Sequence, residues 1–302
     1  MKNQYPPILW QTLVCPYCEK AVVETGQGAL CNQCNAVYPY THNGTIDFRL
    51  QRVKSYPFEF QIGAPLPAEN DFRFRPLPPN PYPEVDFTNN RIPKHLSTEL
   101  LDYFPRAKGQ DSLALDIGCG NGINRKLCEC AGFTYAGIDF HDSEAPMIGD
   151  AHALPFRENS FELALSVAVL EHIRFPFVMV QEAHRILQPE GKFIGTVAFL
   201  EPFHDESYYH HTHLGVLNVL TSGGFQVDYI VPSDNFPGLV AQSRALFRRM
   251  PKKLSKALVT PLVFLHKLWW RHVPLVKHDP AENEFRRAIK FTGDFYFVAT
   301  KK

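Results

Sequence analysis

Leu115-Asp116-Ile117-Gly118-Cys119-Gly120-Asn121-Gly122 is the stretch that decides how this chain folds. An apolar run, Ser112 to Ile117, reads as a strand; it enters three glycines spaced G-x-G-x-G, and a helix-like segment follows from about Ile123. Glycines at such a junction permit a tight turn and let backbone approach a ligand closely, with helix N–H groups directed at it. The dinucleotide fingerprint asks for G-x-G-x-x-G, but position 123 is Ile, and an acid at 116 suits a pyrophosphate poorly. It suits an ammonium group. Seventeen residues beyond Gly122 stands Asp139, closing the next apolar run, Phe133 to Ile138. A carboxylate in that place can take both hydroxyls of a ribose. Together these residues imply a nucleoside with an amino-acid tail and no phosphates.

Three further motifs follow in order: GIDF, then Gly149-Asp150-Ala151-His152-Ala153-Leu154-Pro155-Phe156, then FELALSVAVLEH. With LDIGCGNG they resemble the class I S-adenosylmethionine-dependent methyltransferases of the type 11-like group, over roughly residues 95 to 232 plus the last strand. The resemblance implies S-adenosylmethionine as cofactor. It implies that Asp116 orders the glycine loop and the methionine end, and that Gly118, Gly120 and Gly122 let the cofactor lie on the backbone. By the same likeness Asp139 holds the ribose, Asp150 with Ala151 reaches the adenine, and Ala168 to His172 floor the site beside the sulfonium. The bland reading, an α/β domain whose glycines merely turn the chain, would account for one motif more easily than for four in order.

Strands are expected at Ser112–Ile117, Phe133–Ile138, Phe161–Val167, Lys192–Ala198, Phe225–Val231 and Asp294–Thr300. Helices are expected at Lys94–Phe104, Phe177–Leu187 and Leu214–Thr221. Alternation of this kind gives an α/β fold, a doubly wound and mostly parallel sheet with its ligand at the carboxyl ends of the strands. The resemblance makes that sheet seven-stranded and Rossmann-like, with Phe295-Tyr296-Phe297-Val298-Ala299-Thr300 as the antiparallel strand. The methyltransferase domain then comprises residues 94–232 and 292–302, interrupted by a helical insertion at 233–291.

Cys15-Pro16-Tyr17-Cys18 and Cys31-Asn32-Gln33-Cys34 form C-x2-C-x12-C-x2-C. Two such knuckles can place four thiolates around Zn²⁺, and the metal supplies folding energy that so short a unit cannot draw from a core. Disulfides or free thiols are the alternatives. Four protein ligands leave no open position, so the metal would be structural. The unit, residues 10–52, resembles the small zinc-ribbon-like domain carried by some methyltransferases. A connector, residues 53–93, follows; its nine prolines from Pro57 to Pro93 exclude helix and sheet interior. Its seven aromatics, among them Phe72, Phe74 and Phe87, are expected to lie against the catalytic domain, either as packing alone or as cover for the cofactor.

The 302 residues carry 31 basic and 31 acidic side chains, so no whole-chain field favours nucleic acid. Seven cysteines, four of them in a metal pattern, fit a reducing compartment better than a disulfide framework. The segment MKNQYPPILWQ shows no secretory signal, and no window reaches the length of an apolar membrane span. A cytoplasmic location is expected.

Methyl transfer is an in-line displacement, and a hydroxyl acceptor gains from a base near neutrality. His172, in VLEH, and His204, in Pro202-Phe203-His204, are the candidate bases; His204 and Tyr208 are the candidate acceptor contacts. The PFH–YY–GVLNVL pattern resembles methyltransferases of saccharide and cell-envelope biosynthesis, although those relatives usually have Arg-x-Thr where this chain has His210-His211-Thr212. From Asp234 to Lys277 there are nine Lys or Arg against one acid. On a helical wheel Lys253, Lys256, Lys267 and Arg271 share a face, and Leu254, Leu258, Leu262, Leu265 and Trp269 share another. Pro261 should kink this stretch or split it. Three partners fit it: an anionic inner membrane surface, a packing partner in this chain or a twin, and RNA phosphate. The expected function is O-methylation of a saccharide or lipid-linked envelope intermediate. An RNA base methyltransferase and a non-catalytic scaffold of the same fold are the rivals.

Overall fold

A computed structural model describes residues 5–57, 72–141, 144–202, 206–233, 236–272 and 280–302. Seven strands form one sheet: β4 (Leu113–Ile117), β5 (Thr134–Asp139), β6 (Met147–Ile148), β7 (Phe161–Val167), β8 (Leu187–Ala198), β9 (Phe225–Pro232) and β10 (Asp294–Lys301). Their order is β6-β5-β4-β7-β8-β10-β9, and only β10 runs antiparallel to its neighbours. Every residue of β4 is buried, as expected of a parallel strand covered on both faces. The strand with no counterpart in the expectations is β6; two residues long, it is too short to show a period.

Before the sheet come α1 (Pro7–Thr12) and a three-stranded antiparallel sheet, β1 (Val23–Thr25), β2 (Gly28–Leu30) and β3 (Val37–Pro39). This cysteine-bearing unit is continuous with the main sheet. Its trailing segment adds to the outer edge of β6, with Phe48 N–H donating to Ile148 O (2.7 Å) and Ile148 N–H to Ile46 O (3.1 Å). Leu9, Leu13, Tyr38 and Phe48 share one buried cluster with Leu115, Ile138 and Phe156. The edge of the sheet is thereby covered, which removes a site of unwanted strand pairing.

Among the helices, α2 (Thr98–Leu101) is a single turn where Lys94 to Phe104 was expected. Ser97 caps it by accepting from Leu100 N–H, and His95 stands at φ +65°, so no helix runs in from Lys94. Pro105 disfavours helical φ/ψ at Phe104 and closes the other end. The connector residues from 72 to 93 lie along the domain without regular structure, as their prolines require. Val85 and Phe87 are buried beside Leu100 and Phe104, and Phe74 meets His213 edge-on at 4.7 Å.

Three more helices, α3 (Arg125–Cys130), α4 (Pro176–Ile186) and α5 (His213–Ser222), accompany the strands. Between β9 and β10 lie three helices among the described residues: α6 (Gly238–Leu246), α7 (Lys252–His272) and α8 (Pro280–Phe291). Pro261 does not divide α7, which runs as one element of 21 residues. No helix among the described residues is long and apolar enough to cross a membrane.

Candidate functional site

The carboxyl ends of β4, β5 and β7 open onto a crevice of ≈ 570 Å³, within the size range of small-molecule sites. Gly118, Asp139, Asp150, Ala151, Ala168 and His172 all line it, together with Tyr208. The glycine loop supplies one wall. Gly118, Gly120 and Gly122 have φ of +69°, +53° and +84°, a region that suits glycine. A Cβ on Gly118 would lie 2.5 Å from Val169 Cγ2, so the loop also needs glycine for its seating on β7's following turn.

Asp139 fixes that loop from the next strand. Its Oδ2 accepts from Gly120 N–H at 2.9 Å and its Oδ1 from His141 N–H at 2.9 Å. Asp116 lies beneath the loop instead of lining the crevice. It is fully buried, accepting from Tyr135 Oη–H (2.9 Å) and from Asn124 Nδ2 (3.2 and 3.3 Å). Burial pushes its carboxyl up to about 7, against those hydrogen bonds and with the aid of nearby Asp139. The acid before the glycines thus holds the turn and the start of α3 from below.

At the far wall Asp150 Oδ1 accepts from His152 N–H (2.9 Å) and from His152 Nδ1 (2.6 Å). His152 Nε2 in turn accepts from Phe175 N–H at 3.1 Å, a pattern that assigns the Nδ1–H tautomer. Burial works against the Asp150 carboxylate, yet the bonds from His152 hold it below its ordinary range. The Tyr56 hydroxyl donates to His152 O, so the first end of the connector is pinned beside this wall.

The floor is strained. Ala168 has φ +56°, an unfavourable region for a residue with a Cβ, and its N–H is shared between Thr196 O and Thr196 Oγ1. After it, residues Leu170–His172 form a 3₁₀ turn, with His172 N–H donating to Val169 O. Tyr208 N–H and Tyr209 N–H both donate to the carbonyl of buried Glu171, which brings the segment after β8 over this floor. His204 lies outside the described residues. His211 is buried against Leu170 O, and burial lowers its pKa; His213 packs between Phe74 and Phe295. Neither histidine reaches the crevice lining, and among the described residues they form no metal cluster. Arg174 and Glu206 also line the mouth, and the sequence reading missed them. They are far apart along the chain, and no spacing could have signalled their meeting. His152 stood inside a recognised motif, where its place two residues after Asp150 was the available signal.

The second centre is the cysteine unit. Cys15, Cys18, Cys31 and Cys34 have Sγ atoms within 4.8 Å of one another, the nearest pairs at 3.5 Å (Cys15–Cys34) and 3.4 Å (Cys18–Cys31). Zn–S bonds of about 2.3 Å make a tetrahedron with edges of about 3.8 Å, which this donor set matches. The two knuckles repeat one another: Glu19 N–H donates to Cys15 O and Asn35 N–H to Cys31 O, and both residues have φ +57°. None of the seven cysteines is joined in a disulfide.

A family model described as Methyltransferase domain matches residues 115–195, from the glycine loop to mid-β8. The chain carries a class I methyltransferase domain. An uncharacterized protein of Methanocaldococcus jannaschii is 33% identical over 119 residues, 37% of this chain and 51% of that protein. The mitochondrial arginine-hydroxylase NDUFAF5 of Homo sapiens is 34% identical over 97 residues, 28% of each chain. The chain therefore spans about half or less of these relatives' length. Among solved structures, geranyl diphosphate C-methyltransferase of Streptomyces coelicolor A3(2) aligns at TM-score 0.45 and 11% identity, over 67% of this chain and 74% of that one. In the methyltransferase domain the matched segment holds Asp116, the three glycines, Asp139, Asp150 and Ala168.

Proposed function

We propose that the protein is an S-adenosylmethionine-dependent methyltransferase acting on a hydroxyl of a saccharide or lipid-linked envelope intermediate. The observation that carries this is Asp139, whose carboxylate clamps Gly120 N–H while its side chain lines the crevice one strand away from the glycine loop. Bound there, the cofactor supplies an electrophilic methyl group on a sulfonium. The residues present fit it: Asp139 offers acceptors for ribose hydroxyls, Gly118 an open backbone wall, and Asp150 with Ala151 an edge for adenine.

On the acceptor side His172 lines the floor and Tyr208 the mouth, 57% exposed and free to meet an incoming molecule. In this reading His172 takes the hydroxyl proton, Tyr208 orients the acceptor, and His204 is the second candidate base. The cysteine centre holds structural Zn²⁺ with no open coordination position.

Labelled methyl donor, offered with membrane, polysaccharide and RNA fractions, tests the reading. Label in a saccharide or lipid fraction, lost in Asp139→Ala, supports it. Label in RNA, with binding that falls steeply with salt, would replace the acceptor class. Calorimetry showing no uptake of S-adenosylmethionine by the folded chain would leave only the scaffold reading.

A further inference from the structure

Helix α7 is built against the usual rule. One arc, Ser255, Val259, Val263, His266 and Trp270, turns toward α6 and α8; Ser255 is buried, and His266 meets Phe291 edge-on at 4.7 Å. The next arc is apolar and faces outward. Leu254, Leu258, Leu262, Leu265 and Trp269 are 51 to 60% exposed, and Phe264 at one shoulder is 59% exposed. At 3.6 residues per turn this arc covers about 160° of the helix. A third arc holds Lys253, Lys256, Lys267 and Arg271 along one flank. Ser255 is the only buried residue of the 21. So long an apolar stripe, lying along a single helix, exceeds the scattered exposure normal for a folded surface.

The charge decides what covers it. From Phe236 to His272 the sequence has eight Lys or Arg and no Asp or Glu. A second copy seated symmetrically on this face would bring the same cations toward each other, with no acid on α6 or α7 to offset them. RNA would satisfy the cations but leave the leucine stripe in water. A bilayer bearing anionic headgroups satisfies both arcs at once: leucines and Trp269 enter the acyl boundary while the lysines and Arg271 stay among phosphates.

We propose that α7 docks this protein onto anionic phospholipid bilayers, lying in the plane of the interface with its Leu254–Trp269 stripe inserted. The placement is fixed relative to the crevice. Gln242 of α6 donates to Leu200 O (2.8 Å), just beyond β8, and Asp294 at the start of β10 pairs with Ala198 at the end of β8. The excursion therefore stands at the same carboxyl end of the sheet as the crevice.

The test uses the full chain and vesicles of phosphatidylglycerol with phosphatidylcholine, against phosphatidylcholine alone, in a sedimentation assay without methyl donor. Its failure is thus distinguishable from failure of the methyltransferase reading. About tenfold or more preference for anionic vesicles is expected, weakening with salt. Leu262→Asp with Leu265→Asp should remove binding by tenfold or more while leaving the thermal midpoint unchanged. Lys253→Glu with Lys256→Glu should abolish the anionic preference. Brominated lipid should quench emission that is missing in Trp269→Phe. A folded chain that ignores anionic vesicles overturns the proposal. So does a concentration-dependent dimer dispersed by Leu262→Asp without vesicle binding, or polyanion binding that the leucine variants leave intact in the absence of vesicle binding.

Discussion

The glycine crevice and helix α7 solve opposite problems. Beneath the glycine loop an acidic residue, Asp116, is wholly buried, and its tolerance depends on Tyr135 and Asn124 donating to it. On α7 a row of leucines is more than half exposed to water. The first arrangement is self-sufficient and tightly constrained, so substitutions there should cost stability or ligand affinity. The second is incomplete in the isolated chain, so substitutions there should cost almost nothing until a partner surface is offered. Local inconsistency with burial rules is therefore informative in two ways: satisfied, it marks a built site; unsatisfied, it marks a surface awaiting a partner.

The largest effect that would sharpen this contrast belongs to the cysteine unit, whose core is shared with the sheet. Cys31→Ser should lower stability by about 4 kcal/mol, with loss of bound zinc, because removing a ligand removes folding energy from the whole shared core. Calorimetric melting with metal analysis checks it, and a melt limited to a small separate transition would contradict the continuous core. Next, Asp139→Ala should weaken S-adenosylmethionine binding about 100-fold, as two charge-assisted hydrogen bonds are lost, read by titration calorimetry. Gly118→Ala should destabilise by about 2–3 kcal/mol, from the clash with Val169 and from the left-handed backbone. Val169→Ala should recover part of that loss in denaturant melts.

A smaller effect depends on pH. Burial pushes Asp294 up to about 7, from an ordinary carboxyl value near 4. Between those values the native state holds the extra proton, so this group's contribution is present below about pH 4 and lost as pH rises through about 7. Asp294→Asn should therefore gain about 2–3 kcal/mol on the parent at pH 8 relative to pH 5. Equal pH slopes for the two proteins would refute the assignment. Smallest of all, Leu265→Asp should change stability in plain buffer by no more than about 0.5 kcal/mol. A large loss would mean that the stripe is core after all, and would erase the contrast.

Periodicity and spacing were enough for much of this molecule. The strands from Leu113, Thr134, Phe161 and Asp294 were legible because each is a run of apolar residues long enough to show its pattern. The four cysteines were legible as a cluster, because short knuckles leave their thiols few other places to go. The apolar and basic faces of α7 followed from a 3.6-residue repeat. Other features left no local trace. A two-residue strand such as β6 has no period, and the helix from Lys94 lost its ends to His95 and Pro105.

What the sequence determined by itself were properties set by neighbours along the chain: the glycine turn, the strand-helix alternation and the cysteine knuckles. Only the tertiary structure decided which distant groups meet. It drew Arg174 and Glu206 to one mouth, placed Asp116 under the loop and not in the crevice, and joined Phe48 to the edge at Ile148. It also left the leucine face of α7 outward, where the same repeat could equally have been packed inside. The physical reason is that a repeat fixes which side chains share a face, whereas burial depends on what the rest of the chain brings against that face.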